Sequence, residues 1–508
     1  MRRVLGRVLG IVLLGLAVEM EAGPAGAQSL PFQVRVTAIA PPASMPALHS
    51  MAYAERHGYW VFLGGRTDGL HGPFGGTPDT HFFPWDKANK LIWVVHPEQG
   101  KVWWISLPTK WRFVLSASNT QHHFDSRKGR LYVLGGYGAS AEGFDPKLVT
   151  FDSAASLDVD GLIARLNRDF GSGGSVPESV PAEFLRVRTG VSPARLTGGR
   201  LEHIPGEDRY YLFFGHECVG EYCGGAGGFQ KYSFEIRSFR IVDTPEGPDL
   251  RDLQVFTTAE VPELPTDCQD AAGGNVKVLR QDETTTRIQS PGGRVFEIAE
   301  PEDHDSQYRR RDLNSGPIRV PGESPDGVAG VAAYGGVFTK KRPPSGFGYA
   351  YLNPVYVAGG APPALDTFRQ RLSHYETALL PVWDPGSQTM HTVFFGGLSL
   401  YLYKNGSFTC DVEIPFIDTI SVLSRNAAGS KETVLPEALP GLLGTNSAFL
   451  RNAKAEPHFY DNGVLNLGSL RPGEPVTAGF LFGGIEKSGT KSAATNKIFA
   501  VSLVRRPG

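Results

Sequence analysis

The sequence predicts an all-β chain assembled from repeated strand units. Three observations carry this. An apolar run closed by glycine recurs six times, at Tyr59–Gly65, Leu131–Gly136, Tyr210–His216, Val331–Gly336, Thr392–Gly397 and Gly479–Gly484. Aromatic and β-branched residues favour strands packed on both faces, and a glycine pair permits a tight exit. Turn-forming tetrads precede the runs, as in Glu55-Arg56-His57-Gly58, Ser126-Arg127-Lys128-Gly129, Pro205-Gly206-Glu207-Asp208 and Asp384-Pro385-Gly386-Ser387. The 508 residues include 62 Gly and 38 Pro, which suits many short strands joined by turns.

Taken in chain order, the N-terminus reads as a signal peptide over residues 1–27. Arg2, Arg3 and Arg7 are its basic segment, Val8 to Val18 its apolar segment, and Ala25-Gly26-Ala27 its small-residue cleavage site. The mature chain, 28–508, is then a single domain exported to the periplasm or beyond. The apolar segment is shorter than the roughly 20 residues that cross a bilayer. Net charge is −2, so no polyanion partner such as nucleic acid is expected.

The first unit places a strand before Glu55, a second at Tyr59–Leu63, and two more at Lys90–His96 and Val102–Leu107. The third unit adds Lys231–Val242 and Gln254–Ala259. Lys497–Val504 ends the last unit, which then lacks an outer strand, while Phe32–Ile39 has no unit of its own. The economical solution is that the N-terminal strand completes the last unit and closes a ring.

Four-stranded units of this kind, with Trp103, Trp104, Tyr232 and Tyr351 further on, resemble kelch repeats. The resemblance implies a six-bladed kelch-type β-propeller, similar to the propeller of galactose oxidase-like proteins. Val355–Gly360 also ends in a glycine pair, which leaves seven blades open, although it reads better as an outer strand of the fourth. The third copy departs from the phrase, with Gly215-His216 in place of Gly-Gly. The copper chemistry of galactose oxidase-like proteins is not implied: His374-Tyr375 has no suitable companion histidine or cysteine. No metal and no cofactor is expected.

In a four-stranded antiparallel unit the connections after strands two and four share one face. By that count Arg66–Asn89, His216–Gln230, Val337–Gly348, Ser153–Leu196, Pro262–Ser315 and Arg425–Gly444 all lie on one face, with insertions at about 153–196 and 262–315. Asp158–Phe170 reads as a helix riding there, from Leu162, Ile163, Leu166 and Phe170. Long loops on one side of a scaffold are the usual seat of binding.

Arg66 and Asp68 are candidate ligand groups on that face. His49, Gln121, Arg200, Asn314, Glu376 and Asn446 begin inner strands and are expected to ring the mouth of a central channel. Amides, a cation and a carboxylate together suit hydroxyl-rich ligands. His49 with Glu376, and Arg200 beside them, would form the acid/base set of a carbohydrate-acting enzyme of mutarotase or lyase type. His122 and His123 alternate across a strand and cannot ligate one metal. Asp303–Asp312 is expected to be solvated loop charge. Cys218, Cys223, Cys268 and Cys410 allow three disulfide pairings in an exported chain, and the local pair Cys218–Cys223 is the first expectation among them. The expectation is a monomeric scaffold that binds a glycan or protein on one face, with the carbohydrate enzyme as the alternative.

Overall fold

The computed structural model describes residues 30–507, apart from 71–82, 143–146, 221–227, 264–276, 282–284, 290–294, 300–303, 341–347, 412–413 and 489–490. The expected signal peptide lies outside the described residues. The protein is all-β, with many small antiparallel sheets, an arrangement consistent with a β-propeller.

Seven sheets of four or five strands stand among the described residues; six of them begin with an inner strand, namely Ala52–Arg56, Gln121–Asp125, Arg200–Ile204, Asn314–Val320, Ala378–Asp384 and Ala448–Arg451, and the seventh joins Tyr137–Ala139, Leu148–Thr150, His216–Val219 and Phe229–Tyr232. The second strand of each of the six is the apolar run found in the sequence. Phe32–Ile39 pairs antiparallel with Ile498–Arg505 in full register, so the first described strand completes the last sheet. Val355–Ala358 pairs with Val328–Tyr334 inside the fourth sheet and starts no unit of its own.

Each inner strand packs against the inner strands of its two neighbours, and Ala448–Arg451 packs against Ala52–Arg56. The core lies between these sheets. Phe62 of the first sheet meets Phe482 of the sixth at 4.6 Å between ring centroids, beside the fully buried Trp60. Burying one large apolar side chain contributes about 1.5–3 kcal/mol, so each sheet-to-sheet seam stabilises the whole.

The glycine pairs take positive φ at both residues, for example +68° and +81° at Gly64 and Gly65. In the third unit that conformation falls on Phe214 and Gly215, at +54° and +95°. The register of the third copy is therefore one residue earlier than the sequence suggests: Phe214 replaces the first glycine, and His216 follows the pair. His216 bridges Thr197 just as Arg66 bridges His49. A bulky residue at positive φ is strained. Here the Phe214 ring is fully buried and covers the Arg310 guanidinium at 5.4 Å.

Two expectations about loops are corrected. Ala154–Asp158 is itself the third strand of the second sheet, so the chain after it emerges at the end where the short turns lie. The helix Val159–Asp169 therefore sits at that turn end, not among the long loops. Val159 N donates to Gly129 O, Asp158 caps Gly161 N at 2.9 Å, and Arg56 clamps Asp160 at 2.7 and 2.9 Å. Gly174–Ser179 then covers the outer edge of the first sheet in parallel. Likewise Arg425–Gly444 is no loop: Phe416–Asn426 and Gly429–Ala438 form a hairpin within the fifth sheet. Insertions therefore occupy both ends, including 452–474 at the turn end of the sixth sheet.

Gly65 tests the role of the pairs. A Cβ there would collide with the His49 carbonyl and the Met51 backbone, at a φ that disfavours alanine. Gly65→Ala is expected to cost about 3 kcal/mol in urea unfolding, whereas Gly100→Ala, which meets nothing, should cost about 1 kcal/mol.

Candidate functional site

Two residues before each inner strand the chain takes a left-handed step. The six residues are Ser50, Asn119, Gly198, Asp312, Glu376 and Asn446, with φ between +41° and +68°. Backbone bonds join four of the six successive steps: Asn119 N to Ser50 O at 3.2 Å, Gly198 N to Asn119 O at 3.1 Å, Asp312 N to Gly198 O at 2.6 Å and Asn446 N to Glu376 O at 2.6 Å. The ring at this end is thus set by backbone geometry. The sequence reading named only Glu376 and Asn446 among its members.

Arg200 braces the same end. Its Nε donates to Leu313 O at 2.9 Å and its Nη2 to Glu376 Oε1 at 3.0 Å, so it links the third, fourth and fifth sheets. Asn446 Nδ2 and Thr445 Oγ1 donate to Glu376 Oε2 at 2.7 and 3.2 Å. Burial, reinforced by the nearby Asp312, pushes the Glu376 carboxyl up, and Arg200 opposes this. Arg200, Glu376 and Asn446 are therefore brought together as expected.

His49 is not brought to Glu376. Its Nδ1 lies 2.9 Å from Ser50 Oγ and its Nε2 3.5 Å from Asp68 Oδ1. Asp68 is in turn gripped by Arg66 Nε and Nη2 at 2.9 and 2.6 Å, and Arg66 stacks on Phe83. Arg66 and Asp68 thus bind each other beside His49, whose backbone pairs with that of Arg66. Asn314 is held between neighbours, donating to His374 O and accepting from Thr377 N. Gln121 is fully buried and donates to Asn119 O.

The charged run is not solvated. Arg309, Arg310 and Asp312 are buried. Arg310 donates to Gln307, Gly335 O and Asn353 O, between the rings of Phe214 and Tyr351. One of these carbonyls, Gly335 O, belongs to the left-handed pair of the fourth unit. Asp303 lies outside the described residues, as does Cys223. Cys218 is buried beside Tyr137, Ala139 and Leu148.

Between the six inner strands lies a cavity of about 240 Å³. It runs from Ser50, Asn119 and Asn446 to Arg127, Pro205 and Asp461. Arg127 and Asp461 are exposed, whereas Ser50 is buried and the other two ring residues are half-buried, so the cavity opens at the turn end. Its wall includes alternate residues of all six inner strands, namely Tyr53 and Glu55, His122 and Phe124, Arg200 and Glu202, Ser315 and Pro317, Leu379 and Pro381, Phe449 and Arg451, together with His123, Asp125 and His203. The alternate residues were legible as the period of two within each inner strand, but the sequence reading took only the strands' first residues.

The charges of the wall are mostly paired. Arg451 Nε donates to Glu55 Oε1 at 2.5 Å. His122 touches Tyr53 (4.8 Å between centroids) and His123 touches His203 (5.6 Å), so the adjacent rings face different neighbours. Burial pulls His122 and His123 down to about 3 and His203 to about 4, which leaves all three neutral at pH 7. Glu202 has no cation of its own. Burial raises it to about 7, partly offset by the Ser315 hydroxyl at 2.6 Å and by Arg200. No group of three His, Cys, Asp or Glu side chains is gathered for a metal ion among the described residues.

Glu202 gives a pH test. A carboxyl whose pKa is raised by folding keeps its proton while the unfolded chain has lost it. The stability it contributes is full below about pH 4.5 and is lost as pH rises through 7. The difference in unfolding free energy between wild type and Glu202→Gln should therefore change by on the order of 1–3 kcal/mol between pH 4.5 and 8. Parallel curves in urea titrations would show that Glu202 ionises normally.

No protein-family model and no curated protein matches the sequence. Among solved structures, the chain is similar to the crystal structure of an endo-1,5-alpha-L-arabinanase from Thermotoga petrophila RKU-1. The two share 9% identity and a TM-score of 0.18, over 92% of this chain and 100% of that one. A likeness at that score says nothing about the fold or activity of this chain.

Proposed function

We propose that the chain is an exported six-bladed β-propeller of kelch type whose axial cavity binds a small hydroxyl-rich ligand. The six-bladed reading is supported by the cyclic packing of the inner strands, the six left-handed steps and the pairing of the first strand with the last. The signal-like N-terminus supports removal of residues 1–27 and export to the periplasm or beyond.

One observation carries the ligand class: the cavity combines hydrogen-bond donors and acceptors with aromatic rings in one small space. Tyr53, His122, Glu202, Ser315 and Asn446 offer hydrogen bonds, and Phe124 and Phe449 offer apolar faces. Its volume of about 240 Å³ lies below the ~300–1,000 Å³ typical of drug-sized ligands. A monosaccharide matches that size and mixture, and a long glycan does not. Binding is assigned to the turn end rather than to the long loops, because the ring and the Arg200 brace occupy the other end. The alternative, a sugar-acting enzyme, is favoured by Tyr53, His122, Arg200 and Glu202 converging on one cavity; the pair His49 and Glu376 no longer supports it.

Calorimetry of the mature chain against a panel of monosaccharides and polyols tests the reading. At least one should bind, and Glu202→Gln or Tyr53→Phe should weaken it about tenfold, as expected for one lost hydrogen bond of ~1.4 kcal/mol. No heat from any member of the panel, or affinities indifferent to both substitutions, would refute it.

A further inference from the structure

We propose that Ser50, His49 and Asp68 form a hydrolytic relay that removes a small acyl group from a hydroxyl-bearing ligand held in the cavity; the ligand part rests on the reading above.

The six-fold repeat provides an internal control. The left-handed ring residue and the one before it are Ser118-Asn119, Thr197-Gly198, Arg311-Asp312, Tyr375-Glu376 and Thr445-Asn446 in the other units. Only the first unit pairs a hydroxyl nucleophile in the ring with an adjacent imidazole. The left-handed strain belongs to the architecture, since all six share it. The chemistry belongs to His49-Ser50 alone.

The geometry meets the requirement for an activated nucleophile, which is a base within hydrogen-bond reach and a third group orienting that base. Ser50 Oγ is 2.9 Å from His49 Nδ1. His49 Nε2 faces Asp68 Oδ1 at 3.5 Å, a separation within the looseness of unliganded sites. The proton of a neutral ring therefore belongs on Nε2, and Nδ1 is left to accept from Ser50. Arg66 fixes Asp68 through two hydrogen bonds. Burial holds His49 below its ordinary value despite Asp68, so the ring is a free base at neutral pH. Burial alone would raise the Asp68 carboxyl, but the neighbouring His49 and the two bonds from Arg66 hold it well below the usual carboxylate range, so it stays ionised.

Ser50 lines the ring end of the cavity, beside Asn119. A small O-acyl group such as acetyl, entering from the turn end with its sugar behind it, reaches Ser50 first. The Ser50 Oγ–H bond breaks as Oγ bonds to the acyl carbon, and the proton moves to His49 Nδ1. The ester C–O bond then breaks, and the departing sugar oxygen takes that proton. Water repeats the sequence against the acyl-serine, releasing a carboxylic acid and restoring Ser50.

The test uses the mature chain, a fluorophosphonate probe, p-nitrophenyl acetate and O-acetylated monosaccharides. Ser50→Gly is the informative variant, because glycine suits φ of +54° and should fold. Wild type should be labelled at Ser50, as mapped by mass spectrometry. Ser50→Gly should lose ester hydrolysis at least about 100-fold with its thermal midpoint within a few degrees of wild type. Absence of label on Ser50, or hydrolysis equal in the two proteins, would overturn the relay. Calorimetry with the deacylated sugars separates the two readings. If Ser50→Gly binds sugar while wild type hydrolyses nothing, the relay falls and the cavity reading stands. If wild type cleaves p-nitrophenyl acetate at Ser50 but binds no sugar, the relay stands and its sugar substrate falls.

Discussion

A backbone hydrogen bond between successive sheets governs this structure. In five of the six left-handed pairs the second residue donates to a carbonyl just before the next inner strand. Gly65 reaches Ala117, Gly136 reaches Leu196, Gly215 reaches Arg310, Gly397 reaches Leu443, and Gly484 returns to Leu48. Each bond is worth only about 1 kcal/mol net, but its geometry is what matters. It forces the chain to turn sharply at the end of every second strand, which positions the inner strands around one space. Without positive φ at that step, the donor would point elsewhere and the sheets would lose their common register.

The third unit shows how far the constraint can be stretched. Phe214 adopts the conformation that glycine holds elsewhere, and the bond from Gly215 to Arg310 O survives at 2.8 Å. The strain of a bulky left-handed residue costs roughly 1–3 kcal/mol. It is offset by the burial of the Phe214 ring against Arg310 and Tyr308. Arg310 repays its own desolvation through carbonyls of the neighbouring loops, a case in which a buried cation is satisfied without a carboxylate.

The same geometry determines the chemistry of the cavity. The ring end is occupied by groups that bind one another, with Glu376 held by Arg200, Thr445 and Asn446. The turn end is open, and its walls carry neutral histidines and Glu202, a carboxyl without a cation of its own. A ligand there meets oriented dipoles rather than strong fields, which suits hydroxyl groups better than ions. His49 stands apart because its unit alone places a serine, rather than an amide, carboxylate or glycine, at the ring position.

By itself the sequence determined the strands and much of their order. Six apolar runs, their turns and the orphan strand Phe32–Ile39 were all legible, because strand period, glycine pairs and turn residues are local signals. Even the helix was legible from Leu162, Ile163 and Leu166, although its end of the molecule was not: one strand boundary at Ser153 reversed the count. Only the tertiary structure decided what the polar residues do. Arg310 read as solvated charge and is buried; His49 read as a partner of Glu376 and faces Asp68. Those outcomes depend on distances between units far apart in the chain, and no local pattern of residue types encodes a distance of that kind.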